Sequence, residues 1–266
     1  MVEATIDVVD RGSFWADWNF FIEGEVLATK DDRNPDTKYG EFPVLNWVID
    51  HPEATILWDT GSHHDAAERW GDLYDAFYQE NAPRLDDSLE AAGYSVEEID
   101  AVVQSHLHID HAGGLEFFDG TDTPIYVHEQ ELKFAYYSAT TPAGTGHPAY
   151  LTEDFDHDLN WQVVHRKRET HFEGIEFIHL PGHIPGLMGT VVHLDDPGPI
   201  LMIGDHAYVD RNYENGERIG ANLMWDSGAW MESQNFLRDL ERTLGAAEVV
   251  YGHDAGQLAE MKGDWP

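Results

Sequence analysis

Several apolar runs in this chain end in a glycine-containing turn that carries a histidine or an aspartate. The pattern occurs in AVVQSHLHIDHAGG (101–114), GIEFIHLPGH (174–183), PILMIGDH (199–206) and AEVVYGHD (247–254). Short apolar runs rich in valine and isoleucine are typical of buried strands. Polar residues on loops at strand ends are typical of active sites on a layered α/β scaffold. The sequence therefore predicts an α/β fold with a polar site at the strand ends.

The other elements are predicted from the same signals. FPVLNWVID (42–50) and ATILWDTG (54–61) indicate two neighbouring strands, and PIYVHEQ (124–130) indicates a strand that continues into a helix through ELKFAYY (131–137). We expect residues 1–30 to form an opening pair of strands. We interpret 1–266 as a single domain in which 62–84 and 138–160 are long insertions.

Two helices are predicted from apolar residues at helical spacing. Leu85, Leu89 and Ala92 precede Gly93, which suits a helix C-terminus. Further along, Ser233 is the predicted N-cap of a helix that ends at Gly245. Its apolar side is predicted to carry Phe236, Leu237, Leu240 and Leu244.

Charge is the most unusual bulk property of the chain. Its 51 acidic and 15 basic residues give a formal net charge of −36. The acidic residues are spread along the sequence, which favours a solvated coat adapted to high salt over an ordinary acidic cytosolic protein. A nucleic-acid partner is not expected, because binding phosphates needs a basic face. With no apolar stretch long enough for a membrane span and no basic-apolar leader, we expect a cytoplasmic protein, monomeric or homodimeric.

The run SHLHIDHAGG (105–114) concentrates potential metal ligands. His106 and His108 cannot share one side of a helix, but on a turn after a strand they can converge on one ion. Asp110 and His111 lie one step further round the turn and could begin a second site. Because the chain has no cysteine, any metal must be held by nitrogen and oxygen.

Four ligands do not complete two sites, and the strand-end pattern offers three more. His183, Asp205 and His253 each lie beside glycine after an apolar run. Together the seven residues are enough for two divalent metal ions, with zinc the expected metal, bridged by one carboxylate.

The remaining histidines match no ligand pattern, with one open case. His206 directly follows Asp205 and could line the pocket. For the rest we expect a surface position or a satisfied polar role; they are His63, His64, His128, His147, His157, His165, His171, His179 and His193.

The order SHLHIDHAGG, PGH, GD and GHD resembles the metallo-β-lactamase superfamily over residues 40 to 258. The resemblance implies an αβ/βα four-layer sandwich with the metals at the shared edge of two sheets. It implies that His106, His108 and His183 bind one metal, that Asp110, His111 and His253 bind the other, and that Asp205 bridges them. Asp59 in WDTG matches a turn of that family and is expected to orient a ligand rather than to be one.

Within the superfamily the chain looks most like the N-acyl homoserine lactone lactonases. That likeness implies that a metal-bridging hydroxide opens a lactone ring, that Tyr208 contacts the carbonyl or ring oxygen, and that Asp110 donates a proton to the leaving alkoxide. The aromatic insertions at 68–79 and 133–150 could enclose an acyl chain. Alternatives are a thioesterase of the glyoxalase II kind, another ester hydrolase, or a binding protein that keeps the fold without the chemistry.

Overall fold

The computed structural model describes residues 1–141 and 147–264. A six-stranded sheet is formed in chain order, with antiparallel pairing among its first three strands and parallel pairing from the third onward. Its strands are β1 (Thr5–Asp17), β2 (Tyr39–His51), β3 (Ala54–Trp58), β4 (Ala101–Val103), β5 (Pro124–His128) and β6 (Asn160–Val164).

A second sheet contains five strands in the order β11-β10-β9-β8-β7, antiparallel except for the parallel pair β10 and β11. Its strands are β7 (Arg168–Phe172), β8 (Ile175–His179), β9 (Met188–His193), β10 (Pro199–Gly204) and β11 (Glu248–Tyr251). The helices are α1 (Ala66–Arg69), α2 (Leu85–Ala92), α3 (Glu129–Thr140), α4 (Thr152–Phe155), α5 (Asp210–Glu214), α6 (Ser227–Leu244) and α7 (Ala255–Asp264).

The two sheets pack face to face because their central strands carry apolar side chains on both sides. Ile56 and Trp58 of β3 belong to the cluster between the sheets, and the Trp58 indole N–H donates to Thr190 Oγ1 on β9 at 3.1 Å. Leu57, which points the other way, belongs to a cluster with Leu89 of α2. Leu201 of β10 is likewise clustered with side chains of α6. The layers are helix, sheet, sheet and helix, which confirms the predicted four-layer αβ/βα sandwich.

Two sequence predictions are wrong in detail. Residues 1–30 do not form a pair of strands, because β1 pairs instead with β2 after a connection through residues 18–38. Ser233 is not an N-cap: α6 begins at Ser227, and its N-cap is Asp226, whose carboxylate accepts the Ala229 N–H at 2.8 Å. The Ser233 hydroxyl instead donates to the Pro181 carbonyl at 2.8 Å.

The elements that lead to the predicted ligands end at one edge of the sandwich. In the second sheet β8 and β10 are each antiparallel to β9, so they run in the same direction, and β11 is parallel to β10. The C-terminal ends of β8, β10 and β11 therefore lie at the same edge of the sheet, and the loops that follow these strands start there. In the first sheet the parallel strands β3 and β4 likewise place their following loops together.

Acidic side chains lie mostly on the surface. Among the residues whose side chains are described, four acidic ones are buried: Asp59, Glu131, Asp154 and Asp205. In the same part of the chain, no helix is long and apolar enough to cross a lipid bilayer. Most of the negative charge is thus exposed, where mobile ions can screen it.

We expect the unfolding temperature to rise between about 0.1 M and 1 M KCl, because shortening the Debye length from about 10 Å to 3 Å weakens repulsion among the surface carboxylates. Thermal unfolding followed by circular dichroism measures this effect. Screening should level off near 1 M and be equal for NaCl and KCl. An unfolding temperature independent of salt over this range would contradict the prediction.

Candidate dinuclear metal centre

The structure brings all seven predicted ligands together in two groups. In each group the potential ligand atoms lie within 4.8 Å of one another. The first group contains His106, His108, His183 and Asp205, and the second contains Asp110, His111 and His253. All but Asp110 are buried, and the Asp110 side chain is 18% exposed.

The first group has the spacing of a tetrahedral site. His108 Nδ1 lies 3.1 Å from His106 Nε2 and 3.0 Å from His183 Nε2. Asp205 Oδ2 lies 3.6 Å from each of those two Nε2 atoms. Ligands bound to zinc at 2.0–2.1 Å in a tetrahedron are separated by about 3.3 Å. These four distances are therefore close to those expected around one tetrahedral zinc ion.

The second group shares Asp205 with the first. Asp205 Oδ1 lies 3.2 Å from His253 Nε2 and 3.4 Å from His111 Nε2, while Asp110 Oδ2 lies 3.6 Å and 3.7 Å from the same two nitrogens. Asp205 Oδ1 and both Nε2 atoms are buried without a hydrogen-bond partner. Unpartnered buried ligand atoms that converge in this way fit a second cation.

Two glycines allow the backbone to pack closely around the site, and one of them leaves room for the Asp205 carboxylate. A Cβ atom on Gly252, which precedes His253, would lie 2.6 Å from Asp205 Oδ1. Gly113 has a similar role after the histidine run, because a Cβ there would lie 2.0 Å from the His63 backbone nitrogen. Glycine at these two positions lets the loops approach closely enough to complete the site.

Hydrogen bonds on the far side of the imidazole rings fix their orientation. His183 Nδ1 donates to the Leu223 carbonyl at 2.7 Å, and His253 Nδ1 donates to the Pro43 carbonyl at 2.8 Å. His111 Nδ1 donates to Asp59 Oδ2 at 2.9 Å. With the proton held on Nδ1, each ring presents the Nε2 lone pair to the site, which is the form that binds a metal.

Asp59 organises the loop that carries the histidines. Its carboxylate accepts the Ser105 N–H at 2.7 Å and the Ser105 hydroxyl at 2.6 Å, and Ser105 Oγ lies 3.0 Å from His106 Nδ1. Asp59 is fully buried and has a backbone φ of 60°, an uncommon conformation for a residue other than glycine. These contacts match the predicted orienting position of Asp59.

The electrostatics separate the histidines into two kinds. Burial, reinforced by neighbouring histidines, lowers the pKa of His106 and His108 well below the usual imidazole value. Burial also lowers the pKa of His111, but the Asp205, Asp110 and Asp59 carboxylates outweigh it and raise the pKa well above that value. The second group therefore attracts positive charge strongly, whether as protons or as a metal ion.

Glu131 is a supporting residue that the sequence patterns do not reveal. It is fully buried at the start of α3, and its Oε1 accepts the Leu107 N–H at 2.8 Å and the Tyr150 hydroxyl at 2.9 Å. Leu107 lies between His106 and His108, so Glu131 holds the backbone of the histidine run. Burial raises the pKa of Glu131 to about 8. Only the folded chain brings Glu131 and Leu107 together.

A third group of potential ligand atoms, in His63, His64 and Asp65, also lies within 4.8 Å. The proton positions do not favour a metal there. His63 Nδ1 accepts the Asp65 N–H at 3.0 Å, so its Nε2 carries the proton and faces Glu116 Oε1 at 3.1 Å. His63 thus has no free lone pair, and it has the satisfied polar role expected from the sequence.

Two other histidines lie near the centre. His206 is buried, with Nε2 2.7 Å from Gln234 Oε1 and its ring stacked on Trp230, so the suggestion that it lines the pocket is wrong. His206 lies two residues beyond the end of β10, and its side chain is buried in the core. His147 is stacked on the His108 ring, with centroids 4.7 Å apart.

A cleft opens onto this centre. Trp70 and Phe77 of the first predicted insertion and Ala149 of the second contribute to its walls, and Tyr208 lies among its lining residues. Residues 142–146 of the second insertion lie outside the described residues. The other lining side chains are Phe14, Phe21, His108, Ile109, Asp110, Asp205 and Leu223.

Tyr208 lies beside both groups. Its hydroxyl is 3.1 Å from His183 Nδ1, and its ring stacks on that of His253 at 5.5 Å. Because His183 Nδ1 carries a proton and donates it to the Leu223 carbonyl, the Tyr208 hydroxyl does not donate to that nitrogen. Its own proton is available for another acceptor. Burial, with Asp205 and Asp110, raises the pKa of Tyr208 well above its usual value, so the phenol stays protonated.

Residues 39–253 match the profile of the metallo-beta-lactamase superfamily. The chain is 30% identical over 269 residues to the N-acyl homoserine lactonase AiiB of Agrobacterium fabrum (strain C58 / ATCC 33970), an alignment covering 96% of this chain and 95% of that protein.

Two solved structures share the fold. One is an N-acyl homoserine lactone hydrolase with the product N-hexanoyl-L-homoserine bound at the catalytic metal center (TM-score 0.80, 22% identity, 98% of this chain and 96% of that chain). The other is AidC, a dizinc quorum-quenching lactonase, in complex with a product (TM-score 0.70, 19% identity, 96% of this chain and 89% of that chain).

The Glu131 contacts predict different results for two substitutions. Glu131→Gln keeps an acceptor oxygen for Leu107, so we expect metal content close to that of the unaltered protein. Glu131→Ala leaves the Leu107 N–H buried without an acceptor, at a cost of about 1–3 kcal/mol, and should lower both stability and metal content. Metal analysis by mass spectrometry, together with urea unfolding, measures both. Equal metal content in the two variants would refute the supporting role.

Proposed function

Because this chain belongs to the metallo-β-lactamase superfamily, we propose that it is a metal-dependent hydrolase that opens the lactone ring of N-acyl homoserine lactones or closely related lactones. The observation that carries the proposal is the position of Asp205. Its two carboxylate oxygens face two separate groups of ligand atoms, and it also lines a largely apolar cleft.

The ligand set supports two divalent ions, and we propose zinc. His106, His108 and His183 would hold one ion, Asp110, His111 and His253 the other, and Asp205 both. Imidazole and carboxylate ligands in tetrahedral spacing suit zinc, and AidC is a dizinc enzyme. Two ions in such a centre lower the pKa of water and polarise a carbonyl oxygen.

Tyr208 is proposed as a hydrogen-bond donor to the substrate. Its phenol remains protonated and lies at the cleft beside His183. A hydroxyl in that position can donate to the lactone carbonyl or ring oxygen, where negative charge develops as the ring opens. A donor fixed by packing against Phe21 and His253 does not have to reorganise during the reaction.

Asp110 is proposed as the proton carrier. It is the only one of the seven predicted ligands with a partly exposed side chain, and it lines the cleft. In ring opening, a water oxygen bonds to the carbonyl carbon, and the bond from that carbon to the ring oxygen breaks. The proton lost by the water passes through the Asp110 carboxylate to the ring oxygen, which leaves as a hydroxyl group.

The walls of the cleft support an acyl substituent. Phe14, Phe21, Trp70 and Phe77 provide aromatic surface in the same cleft as Asp110 and Asp205. Binding an alkyl chain there removes apolar surface from water, which stabilises the complex by about 25 cal/mol per Å². A thioesterase acting on an anionic glutathione conjugate would need cationic side chains, and none of the described lining residues is lysine or arginine.

A substrate panel tests the proposed reaction. We expect purified protein loaded with zinc, assayed in molar salt, to hydrolyse acyl homoserine lactones with a higher kcat/KM than S-lactoylglutathione. Ring opening releases a carboxylic acid, so a pH-indicator assay follows every lactone in the panel. Preference for the thioester would favour the glyoxalase II-like alternative. A protein with two bound zinc ions that cleaves no lactone, ester or thioester would instead indicate a binding protein.

Two substitutions separate metal binding from substrate contact. His108→Ala removes a ligand of the first group and should abolish most bound metal and activity. Tyr208→Phe removes only a hydroxyl, so it should retain two metals while kcat falls about 10- to 100-fold. Metal content and kinetics are measured on the same samples. Unchanged kcat and KM in Tyr208→Phe would exclude its assigned role.

A further inference from the structure

One of the four buried carboxylates has no contact with the metal centre. Asp59, Glu131 and Asp205 bind or support the predicted ligands, whereas Asp154 lies on α4. Asp154 is 1% exposed, and neither of its oxygens has a hydrogen-bond partner. Its partner is Arg69, whose Nη2 lies 3.1 Å from Asp154 Oδ1 as an ion pair.

This ion pair joins the two insertions that border the cleft. Arg69 is the last residue of α1, and Trp70, which follows it, lines the cleft. On the other side, Ala149 lines the cleft and Leu151 immediately precedes α4. Leu151 also packs in the same apolar cluster as Trp70. A change in the distance between Arg69 and Asp154 would therefore move one cleft wall relative to the other.

The environment of Asp154 makes the ion pair conditional on pH. Burial raises the pKa of Asp154 to about 7, Arg69 opposes the rise, and the nearby carboxylates of Glu153 and Glu116 add to it. Glu116 belongs to the turn that follows the histidine run. A buried pair of this kind contributes little net stability, because the attraction is offset by desolvation. The main effect of the ion pair is to fix the distance between the two segments that it joins.

We propose that the Arg69–Asp154 ion pair acts as a strut, because it holds the two cleft walls at a fixed distance. Both residues are thereby positioning residues for the acyl chain. The role of the two residues in positioning an acyl chain rests on the proposed function. The strut itself concerns only the contact between residues 66–78 and 147–156. Long acyl chains, which reach the walls, depend on the strut, and short chains do not.

The pH dependence follows from the sign of the shift. A carboxyl group with a raised pKa is protonated over a wider pH range, so Asp154 is charged above about pH 7 and neutral below it. The strut is therefore present at pH 8 and is lost as the pH falls through 7. Asp154→Asn removes the titrating group, and a protein with this change should lack the transition.

Hydrogen exchange at backbone amides tests the strut without substrate. Asp154→Asn and Arg69→Gln should each speed exchange about fivefold in both segments, 66–78 and 147–156, at pH 8. The double variant should show little further change, because the two residues act as a pair. Arg69→Lys keeps the charge and should retain most of the protection. Arg168→Gln, which breaks an ion pair with Glu176 on the second sheet, is the matched control.

Kinetics test the effect on the acyl chain. We expect Asp154→Asn to raise KM for decanoyl homoserine lactone about fivefold and to leave KM for the butanoyl lactone and both kcat values unchanged. In the unaltered protein, the ratio of KM for the decanoyl lactone to KM for the butanoyl lactone should rise as the pH falls from 8 to 6. In Asp154→Asn this ratio should not depend on pH in that range.

Each outcome decides a separate point. Faster exchange confined to the substituted segment, or none, would overturn the strut whatever the activity. Faster exchange in both segments with equal effects on both lactones would overturn the role in chain selection. If the unaltered protein opens no lactone, the proposed function fails. The strut is still decided by the protection factors of both segments in the unaltered protein, which should be lower at pH 6 than at pH 8.

Discussion

The mutual approach of five imidazoles and two carboxylates is the constraint on which the rest of this structure depends. Their facing nitrogens and oxygens lie between 3.0 and 3.7 Å apart, and most are shielded from water. Lone pairs at such distances repel unless a cation lies among them. The arrangement therefore has to be imposed by the surrounding fold, and the hydrogen bonds behind the rings show how this is done.

Those hydrogen bonds come from both halves of the sandwich. Pro43, which holds His253, is on β2 of the first sheet, whereas His253 follows β11 of the second. Asp59, at the end of β3, fixes His111 and the Ser105 backbone. Since each half orients ligands carried by the other or by its own neighbouring strand, the site requires both sheets to be assembled. Its geometry is a property of the whole fold rather than of the histidine run.

This origin explains what the sequence could predict. The strand ends were predictable because a buried strand and its turn are encoded locally, as in ATILWDTG and PILMIGDH. The pairing of β1 with β2 was missed because it joins residues across a long connection. The start of α6 was missed because Ser233 and Asp226 are both good caps, and the local pattern does not choose between them. Glu131 and the Arg69–Asp154 pair depend entirely on tertiary contacts and carry no local signal.

The four buried carboxylates connect the acidic composition to the site. On the surface a carboxylate needs only water and mobile ions, but a buried one must be held by donors or by a cation. Asp59 has the Ser105 and His111 donors, and Glu131 has the Leu107 N–H and the Tyr150 hydroxyl. Asp205 faces the imidazoles, which lower its pKa despite its burial. Asp154 is instead paired with Arg69, at the contact between the two cleft walls.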